Sequence, residues 1–599
     1  MEKFIPAERL AQAVFGGVQE AEPRPETRLM LGNEAVARGA WEAGVRVISS
    51  YPGTPSTEIT EAAANYEEIN CQWATNEKVA TEVAFGAAMA GARAMTCMKH
   101  VGVNVAADPL FTAAYTGVNA GMVIVCADDP AMHSSQNEQD SRYYARAAHI
   151  PMLEPADSQE CLEYTKIAFQ MSEELDTPVF LRLTTRIAHS RSPVTVGERR
   201  QAELKPYEKD VMKYVMMPGM ARKRHGKVEQ RESFLAEAAN RMPINRLEWR
   251  EKDVGVITSG CSYQYVREAL PTASVLKLGM VYPLPMKLIS DFASQVKRLL
   301  VIEELEGLIE KDVAAAGLLV EGKVLTGDQG ELSTEKVRSA VLGVKLPSQV
   351  QDDLPARPPV LCPGCPHRGI FHVVKKLKLR VMGDIGCYTL AALAPLSAMD
   401  ACLCMGASIG MASGAERARG KEFSKGTVAV LGDSTFLHSG ITPLIDAVYG
   451  RSAITVLILD NRITGMTGHQ QNPSTGVDIH GNPAPQVDLE KFVLGCGVQH
   501  VRVVDPFDIK QTEAALREET ARNAVSVIIA RRPCALLERK TRPAHVIRDC
   551  KSCGQCVKIS CPAIRRKNQQ AAIDPAQCSS CGLCTQVCPF GAIRSGEDA

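Results

Sequence analysis

Aromatic residues are scarce in this chain, at 5% of 599 residues with 3 Trp. It also lacks charge of one sign, since Lys+Arg and Asp+Glu each number 68 and the formal net charge is zero. A general nucleic-acid binder needs a basic excess, so that class is excluded. No run of about 18 apolar residues occurs, so no membrane span is expected. The first 26 residues, MEKFIPAERLAQAVFGGVQEAEPRPE, are mixed and acidic. They lack the charged start and apolar core of a secretory signal, which points to the cytoplasm. With 45% hydrophobic and 23% charged residues the composition is that of a globular protein. The length suggests about four domains.

Cysteine is abundant. There are 20, and eight lie between Cys550 and Cys588. Without a secretory signal a disulfide framework is not expected, and clustered cysteines point to metal. Most of the other twelve are expected to be small buried hydrophobes. Residues 550–562 read CKSCGQCVKISCP and residues 578–589 read CSSCGLCTQVCP. The second run is the C-x2-C-x2-C-x3-C-P pattern of bacterial ferredoxins, whose fourth Cys ligates the other cluster. Two runs therefore predict two [4Fe–4S] clusters. Cys550, Cys553, Cys556 and Cys588 would hold one; Cys578, Cys581, Cys584 and Cys561 would hold the other. The first run departs from the pattern, with four residues between Cys556 and Cys561, which makes Cys561 the least secure ligand. Zinc knuckles use two pairs of ligands, not two triplets each trailed by Cys-Pro. The tail therefore predicts electron transfer.

The remainder alternates helical and strand patterns, an α/β signature with parallel sheets. Residues 33–44 read as a helix stopped by Gly44, and Val45–Ser49 as a short buried strand. Thr54 and Pro55 suit a helix start. Residues 77–92 form a small-residue helix, and Met122–Ala127 and Val179–Leu183 read as buried strands. Residues 191–250 are charge-rich and read as a solvated connector with a helix or two. From Asp253 three strand patterns suggest a small doubly wound domain. Residues 347–359 form a proline-rich linker, and a third α/β unit runs to about residue 535 before the basic stretch ERKTRPAHVIRD.

Within that third unit, VAVLGDSTFLHSGI precedes ITVLILDNRITGMTGHQ. Strands at Thr427–Leu431 and Ile454–Leu459 deliver Asp433 and Asn461 to the carboxyl edge of one sheet, where ligands bind in open α/β folds. A carboxylate, an amide oxygen and a backbone carbonyl are hard ligands suited to Mg²⁺ that also takes diphosphate oxygens. Gly432 permits close approach, and the helix after it offers its N-terminus to phosphate. The pair resembles the thiamine diphosphate motif, with Ser434 in place of its last Gly and Asp460 in place of its first Asn. The resemblance makes the carbonyl of Ile463 the third protein ligand. Thiamine chemistry also needs a carboxylic acid on the aminopyrimidine ring. On pattern alone Glu77 and Glu82 serve equally, and either reads as well as a surface charge.

The stretches YPGTPSTEI, LCPGCPHRG, GDIGCYTL, MGASIGMASG, GDSTFLHSGI and ILDNRITGMTGHQQNP resemble the 2-oxoacid:ferredoxin oxidoreductase family over essentially the whole chain. Within it they are most similar to the large subunits acting on aryl 2-oxoacids. The resemblance implies a multidomain α/β chain: a pyrimidine-binding domain (1–190), the connector (191–250), a transketolase-C-like domain (251–345), a diphosphate- and Mg²⁺-binding domain (355–535) and a ferredoxin-like α+β domain (540–599). It implies Glu77 as the cofactor-activating acid, Thr54 as a substrate contact, and Cys365 and His367 of LCPGCPHRG near the cofactor. Cys362, Cys365 and His367 could otherwise read as a zinc or redox motif. His100 and His469 are candidates near the cofactor's reactive ring, although each also reads as a structural histidine. The implied reaction is oxidative decarboxylation of an aryl 2-oxoacid such as indole-3-pyruvate with coenzyme A, the electrons passing through the clusters to ferredoxin. The coenzyme A-linked gamma-type domain finds no room here. The resemblance thus implies a separate small beta subunit of about 200 residues, a size ordinary for one domain, in a hetero-oligomer with two large subunits. Alternatives are a pyruvate or 2-oxoglutarate enzyme, a non-redox thiamine decarboxylase and a pure electron-transfer subunit. An Arg placed for a second carboxylate would favour 2-oxoglutarate; Arg142 and Arg186 are available. Exposed clusters imply oxygen sensitivity and a low-oxygen lifestyle.

Overall fold

A computed structural model describes residues 26–345, 358–537 and 543–596. Of the proline-rich linker expected at 347–359, only its last two residues fall in this range. The chain divides into two units, Met1–Gln351 and Asp352–Ala599.

The first unit is built on a seven-stranded sheet. In spatial order its strands are Asn70–Trp73, Val47–Ser50, Ala94–Lys99, Met122–Asp128, Val179–Thr184, Met152–Leu153 and Met280–Tyr282. All run parallel except the last, which pairs antiparallel with Met152–Leu153. The three central strands are buried along their whole length, hence their unbroken apolar runs. Helix Glu77–Met89 starts where Asn76 accepts a hydrogen bond from the Val79 amide at 2.9 Å. Its buried face is Ala80, Thr81, Ala84 and Ala88, small enough for helix His100–Thr116 to pack closely.

Thr54 does not start a helix. The helix runs Thr57–Ala63, and Ser56 turns the chain by donating from both its amide and hydroxyl to the Gly53 carbonyl at 2.9 and 2.8 Å. The first unit also extends past residue 190, since strand Arg191–Val196 pairs antiparallel with Glu26–Leu31. The charge-rich stretch beyond it contains helix Pro218–Ala239, which packs on helix His100–Thr116. Arg224 and Arg231 are buried there and donate to carbonyls of Thr116 (3.1 Å) and Ala114 (3.0 Å). Cations thus cap a helix C-terminus whose carbonyls have no helical partner.

The expected small domain has a four-stranded sheet in the order Arg298–Ile302, Glu251–Ser259, Ala273–Leu278, Arg246–Glu248. One core spans both sheets: Met152 and Phe180 of the first pack in the same cluster as Ile257, Leu278 and Phe292. Buried ion pairs lie here as well, and the Arg142–Glu303 pair joins the two sheets. Arg142 donates to Asp140 at 2.9 Å and to Glu303 at 2.5 Å, while Arg182 donates to Asp128 and Glu154, each at 2.7 Å. Burial pushes the Glu303 carboxyl up, and Arg142 and the Glu310 and Ile309 amides oppose it.

The second unit has a six-stranded, wholly parallel sheet in the order Ala401–Cys402, Arg380–Gly383, Thr427–Gly432, Thr455–Asp460, Ser526–Arg531, His500–Val504. The cysteine tail carries two small antiparallel pairs, Val546–Ile547 with Ile593–Arg594 and the hairpin Ile564–Lys567 with Gln570–Ile573. It does not stand apart: Ile559, Leu583 and Ile593 share one core cluster with Val428, Val430 and Phe371.

Removing one partner of a buried ion pair leaves an uncompensated charge. Arg142→Ala is expected to cost about 3–5 kcal/mol, read as the denaturant midpoint of the unfolding transition. Breaking the exposed Lys297–Asp253 pair by Lys297→Ala should cost under about 1 kcal/mol. Equal shifts for the two variants would contradict this account.

Candidate functional site

In the first unit, Thr54, Glu77 and His100 follow three adjacent strands, Val47–Ser50, Asn70–Trp73 and Ala94–Lys99, at their carboxyl ends. From Val47–Ser50 the chain proceeds to one side of the sheet and from Ala94–Lys99 to the other. This is the switch point at which open α/β sheets admit ligands. Glu77 is buried at 5% exposure, whereas Glu82 is exposed and paired with Lys78 one turn away. A Cβ on Gly102 would lie 2.6 Å from Glu77 Oε1. Bare backbone of the neighbouring helix therefore abuts the carboxyl group, and only glycine fits there. Thr54 is half-buried. His100 is fully buried, and neither ring nitrogen makes a well-formed hydrogen bond. Burial pushes its pKa down, which keeps the ring neutral. Lys99 gave no signal in the sequence. It is buried, donates to the Ser134 carbonyl at 2.8 Å, lies 3.9 Å from Asp129, and is pushed down to about 8 by burial.

Arg142 is not available as expected, whereas Arg186 is paired but its side chain stays largely exposed. Arg142 is held in the buried ion pairs above, and Arg186 makes two bonds to Glu331 at 2.9 and 2.6 Å.

In the second unit, strands Arg380–Gly383 and Thr427–Gly432 flank the corresponding switch point. Asp433 follows Gly432 and heads the helical run Asp433–Tyr449. Asp433 Oδ2 lies 2.9 Å from Ser474 Oγ, which lies 2.6 Å from Asn472 Oδ1. Asn472 donates to Thr464 Oγ1 at 3.3 Å, and Thr464 to Ser434 Oγ at 3.0 Å. Thr464, Asn472 and Ser474 were not foreseen, although all follow Asn461 in a Thr-, Asn- and Ser-rich loop. Asn461 and Ile463 are buried, and Asn461 Oδ1 accepts from the Ile463 amide at 3.3 Å. Asp460 Oδ2 accepts from Arg531 at 2.7 Å, but its buried Oδ1 has no partner. Burial and Asp460 push the Asp433 carboxyl up to about 7. Buried carboxyl groups with an orphaned oxygen, among amide and hydroxyl oxygens, are a donor set that fits a hard divalent cation. On the other side of the switch point, Asp384 accepts from the amides of Ile385 (2.8 Å), Gly406 (2.9 Å) and Ser408 (3.2 Å). Burial pushes its carboxyl up to about 6.

The tail cysteines gather in the crossed arrangement. Cys550, Cys553, Cys556 and Cys588 line one hollow, and Cys561, Cys578, Cys581 and Cys584 line another. The two runs share a local conformation. Ser552 and Ser580 have φ of 56° and 60°, and each donates its amide to the preceding Cys Sγ at 3.4 Å. The extra residue before Cys561 is absorbed at Ser560, which takes φ 59° and ψ 28° at the end of the short helix Gln555–Ile559. Among the described residues no three His, Cys, Asp or Glu side chains converge on a point that would hold one ion. Each quartet instead rings a space.

A third cysteine group was not foreseen. Cys362, Cys365 and Cys387 pack in one cluster, and Cys534 lies near enough to add to the upward push of burial on the Cys387 thiol. Burial pushes Cys365 up to about 12 and Cys387 up to about 11. The group borders the Asp433 site: the Cys534 amide donates to the Asn461 carbonyl at 3.0 Å, and His469 Nε2 lies 3.9 Å from Cys534 Sγ. His367 is buried edge-on to Tyr388, and burial lowers its pKa to about 4. Next to it Arg368 is buried and donates to the carbonyls of Cys362 (3.0 Å) and Ile559 (3.2 Å), and to those of Leu361 and Ser560. Among the described residues it has no carboxylate partner. It faces Cys362, Cys365, Cys561 and Cys581 instead. Buried cations are normally paired, and thiolate-held clusters are anions of the kind this guanidinium lacks.

Asp433→Ala removes the one carboxylate at the head of the Asp433–Tyr449 helix. If this cluster is the Mg²⁺ and thiamine diphosphate site that the sequence resemblance implies, the variant loses both through desalting and keeps its iron. Retained cofactor, measured by fluorescence of the oxidised vitamin, would overturn the assignment.

Three known families match parts of the chain. Residues 38–254 match the thiamine diphosphate-binding family of pyruvate flavodoxin/ferredoxin oxidoreductases. Residues 384–530 match the C-terminal thiamine pyrophosphate-binding domain, and residues 571–594 the 4Fe-4S binding domain. Indolepyruvate oxidoreductase subunit IorA of Methanothermobacter marburgensis is 42% identical over 95% of this chain and 98% of its own length. The IorA subunit of Archaeoglobus fulgidus is 40% identical over 96% of this chain and 98% of its own. A solved 2-oxoglutarate:ferredoxin oxidoreductase from Magnetococcus marinus is 18% identical over 55% of this chain and 67% of that one, with TM-score 0.46. The chain belongs to the family of indolepyruvate:ferredoxin oxidoreductase alpha subunits, oxidoreductases with thiamine diphosphate- and [4Fe–4S]-binding domains.

Proposed function

We propose that the chain carries out oxidative decarboxylation of aryl 2-oxoacids, indole-3-pyruvate foremost. The 2-oxoacid anion and coenzyme A thiol give the arylacetyl thioester, carbon dioxide, a proton and two electrons, and the electrons reduce two ferredoxins. The observation that carries this reading is the arrangement of the second unit: the Asp433 donor cluster borders a cysteine group, and the tail quartets are built into the same core. Whole-length similarity to proteins named indolepyruvate oxidoreductase subunits supports the substrate class. The pairing of Arg142 and Arg186 with carboxylates gives no support to a second substrate carboxylate at either position.

Bound thiamine diphosphate would supply the electron sink for decarboxylation. Asp433, Asn461 and the Ile463 carbonyl would hold Mg²⁺, with Gly432 and Ser434 beside the diphosphate. Glu77 would present its buried carboxyl to the cofactor's aminopyrimidine ring. Thr54 would position the 2-oxoacid, and neutral His100 would accept or donate a hydrogen bond without adding charge. Cys365 and His367 would border the cofactor. The two tail quartets would hold one [4Fe–4S] cluster each. The Cys362–Cys365–Cys387–Cys534 group would hold a third between them and the Asp433 site. One-electron carriers suit a route that ends on ferredoxin. Coenzyme A would enter with a small beta subunit in a hetero-oligomer with two large subunits. The proposed compartment is the cytoplasm, where thiols stay reduced; no helix among the described residues is long and apolar enough to cross a membrane.

The test is anaerobic methyl viologen reduction by protein co-purified with its small subunit, given coenzyme A and a panel of 2-oxoacids. Reduction with indolepyruvate and phenylpyruvate but not pyruvate is expected. Reduction with pyruvate or 2-oxoglutarate alone would overturn the substrate. Iron should be about twelve per chain for three cubane clusters; about eight would remove the third.

A further inference from the structure

The two tail quartets differ in surroundings. Cys553 is exposed and Cys550 half-buried, whereas Cys578 and Cys584 are buried. The hollow of the second quartet is walled by Gly364 and Arg368. A Cβ on Gly364, whose φ is 71°, would fall 2.2 Å from Ser579 Oγ, so the Cys362–Cys365 loop presses directly on this quartet. The second quartet thus faces inward, toward the thiamine-binding domain. The hollow of the first is edged by Lys551, Arg566 and Phe590. Phe590 is 57% exposed beside Cys588 and Pro589.

Charge is distributed unevenly as well. In a chain that is neutral overall, residues 543–596 hold seven Lys or Arg against two Asp. Arg565 is paired with Asp574 at 3.3 Å. Lys551, Arg566 and Lys567 are exposed and have no ion pair among the described residues. An occupied cluster adds negative charge of its own, which offsets part of this excess. The cations nonetheless stand at the solvent edge, where they act on an approaching molecule. An exposed aromatic ring within a rim of unpaired cations has the anatomy of an interface: an apolar anchor inside a charged rim that steers encounter.

We propose that the surface of Lys551, Arg566 and Phe590 is the docking face for a small acidic one-electron carrier protein, and that electrons leave the chain from the Cys550–Cys553–Cys556–Cys588 position. This rests on the functional reading above. A cluster held by these four cysteines would pass one electron to the carrier in each transfer. The first is oxidised by one electron, the carrier is reduced by one, and no bond or proton moves.

The experiment uses the holoenzyme with its small subunit and a purified acidic bacterial ferredoxin. The variant is Lys551→Glu with Arg566→Glu. The control, Lys252→Glu with Lys297→Glu, makes the same change in net charge on the other unit. Calorimetric titration at low and high salt should show ferredoxin binding weaker by on the order of tenfold in the variant, with a flatter salt dependence, and no such change in the control. The ferredoxin KM should rise in step, while the methyl viologen rate and iron content stay at the wild-type level. Unchanged ferredoxin affinity, or equal weakening in the control, would overturn the docking face. Should the double reversal lose iron, Phe590→Ala and the milder Lys551→Gln with Arg566→Gln carry the same test, and wild-type affinity in both would overturn it. Failure of the functional reading looks different: the wild-type protein would then reduce viologen with no 2-oxoacid at all.

Discussion

The guanidinium of Arg368 is a buried positive charge whose hydrogen bonds go only to carbonyl oxygens. Two come from the loop that carries Cys362 and Cys365, and two from the segment just before Cys561. A bare cation in such a place is costly, so its presence constrains what surrounds it. It ties the thiamine-binding domain to the ferredoxin-like tail at the point where one-electron steps between them need short distances. It also sets a positive charge between two cysteine quartets, where anionic clusters would compensate it. The common core of Phe371, Ile559, Leu583 and Ile593 then makes the tail part of one body and not a tethered appendage.

Both sheets of the thiamine-binding type use the same construction. Each is parallel apart from the Met280–Tyr282 edge strand of the first, each has a switch point, and each places its candidate residues just past the carboxyl ends of strands at or beside that point: Thr54, Glu77 and His100 in one unit, Asp384, Asp433 and Asn461 in the other. The central strands are buried on both faces, so polar chemistry there is confined to their ends. The orphaned oxygen of Asp460 and the upward shift of Asp433 mark one of those ends as a place that wants a cation.

What was legible in the sequence was local. The tail quartets could be read because six of the eight cysteines lie in two tight turns with fixed spacing, and even the extra residue before Cys561 is taken up by a single left-handed serine. Asp433 and Asn461 could be read because strand ends are marked by apolar runs that stop. Glu77 could not be told from Glu82 by periodicity, since helical spacing reports a face and not its environment; burial against Gly102 separates them. The third cysteine group was illegible because its members come from three segments, around residues 362, 387 and 534. Ser474 and Asn472 were hidden in a loop, where no period exists to reveal contacts. Arg142 looked available to substrate, yet its role is to join two sheets through Glu303. The boundary at residue 190 missed a strand whose partner lies at Glu26–Leu31, a pairing between segments far apart in sequence.

The central claim is that electrons from a 2-oxoacid reach the cysteine tail through this one body. Its most direct test is low-temperature electron paramagnetic resonance of the anaerobic holoenzyme, mixed with indolepyruvate and coenzyme A and frozen. The account predicts spectra of reduced [4Fe–4S] clusters matching in shape those produced by dithionite. Clusters that dithionite reduces but indolepyruvate with coenzyme A leaves silent would contradict it.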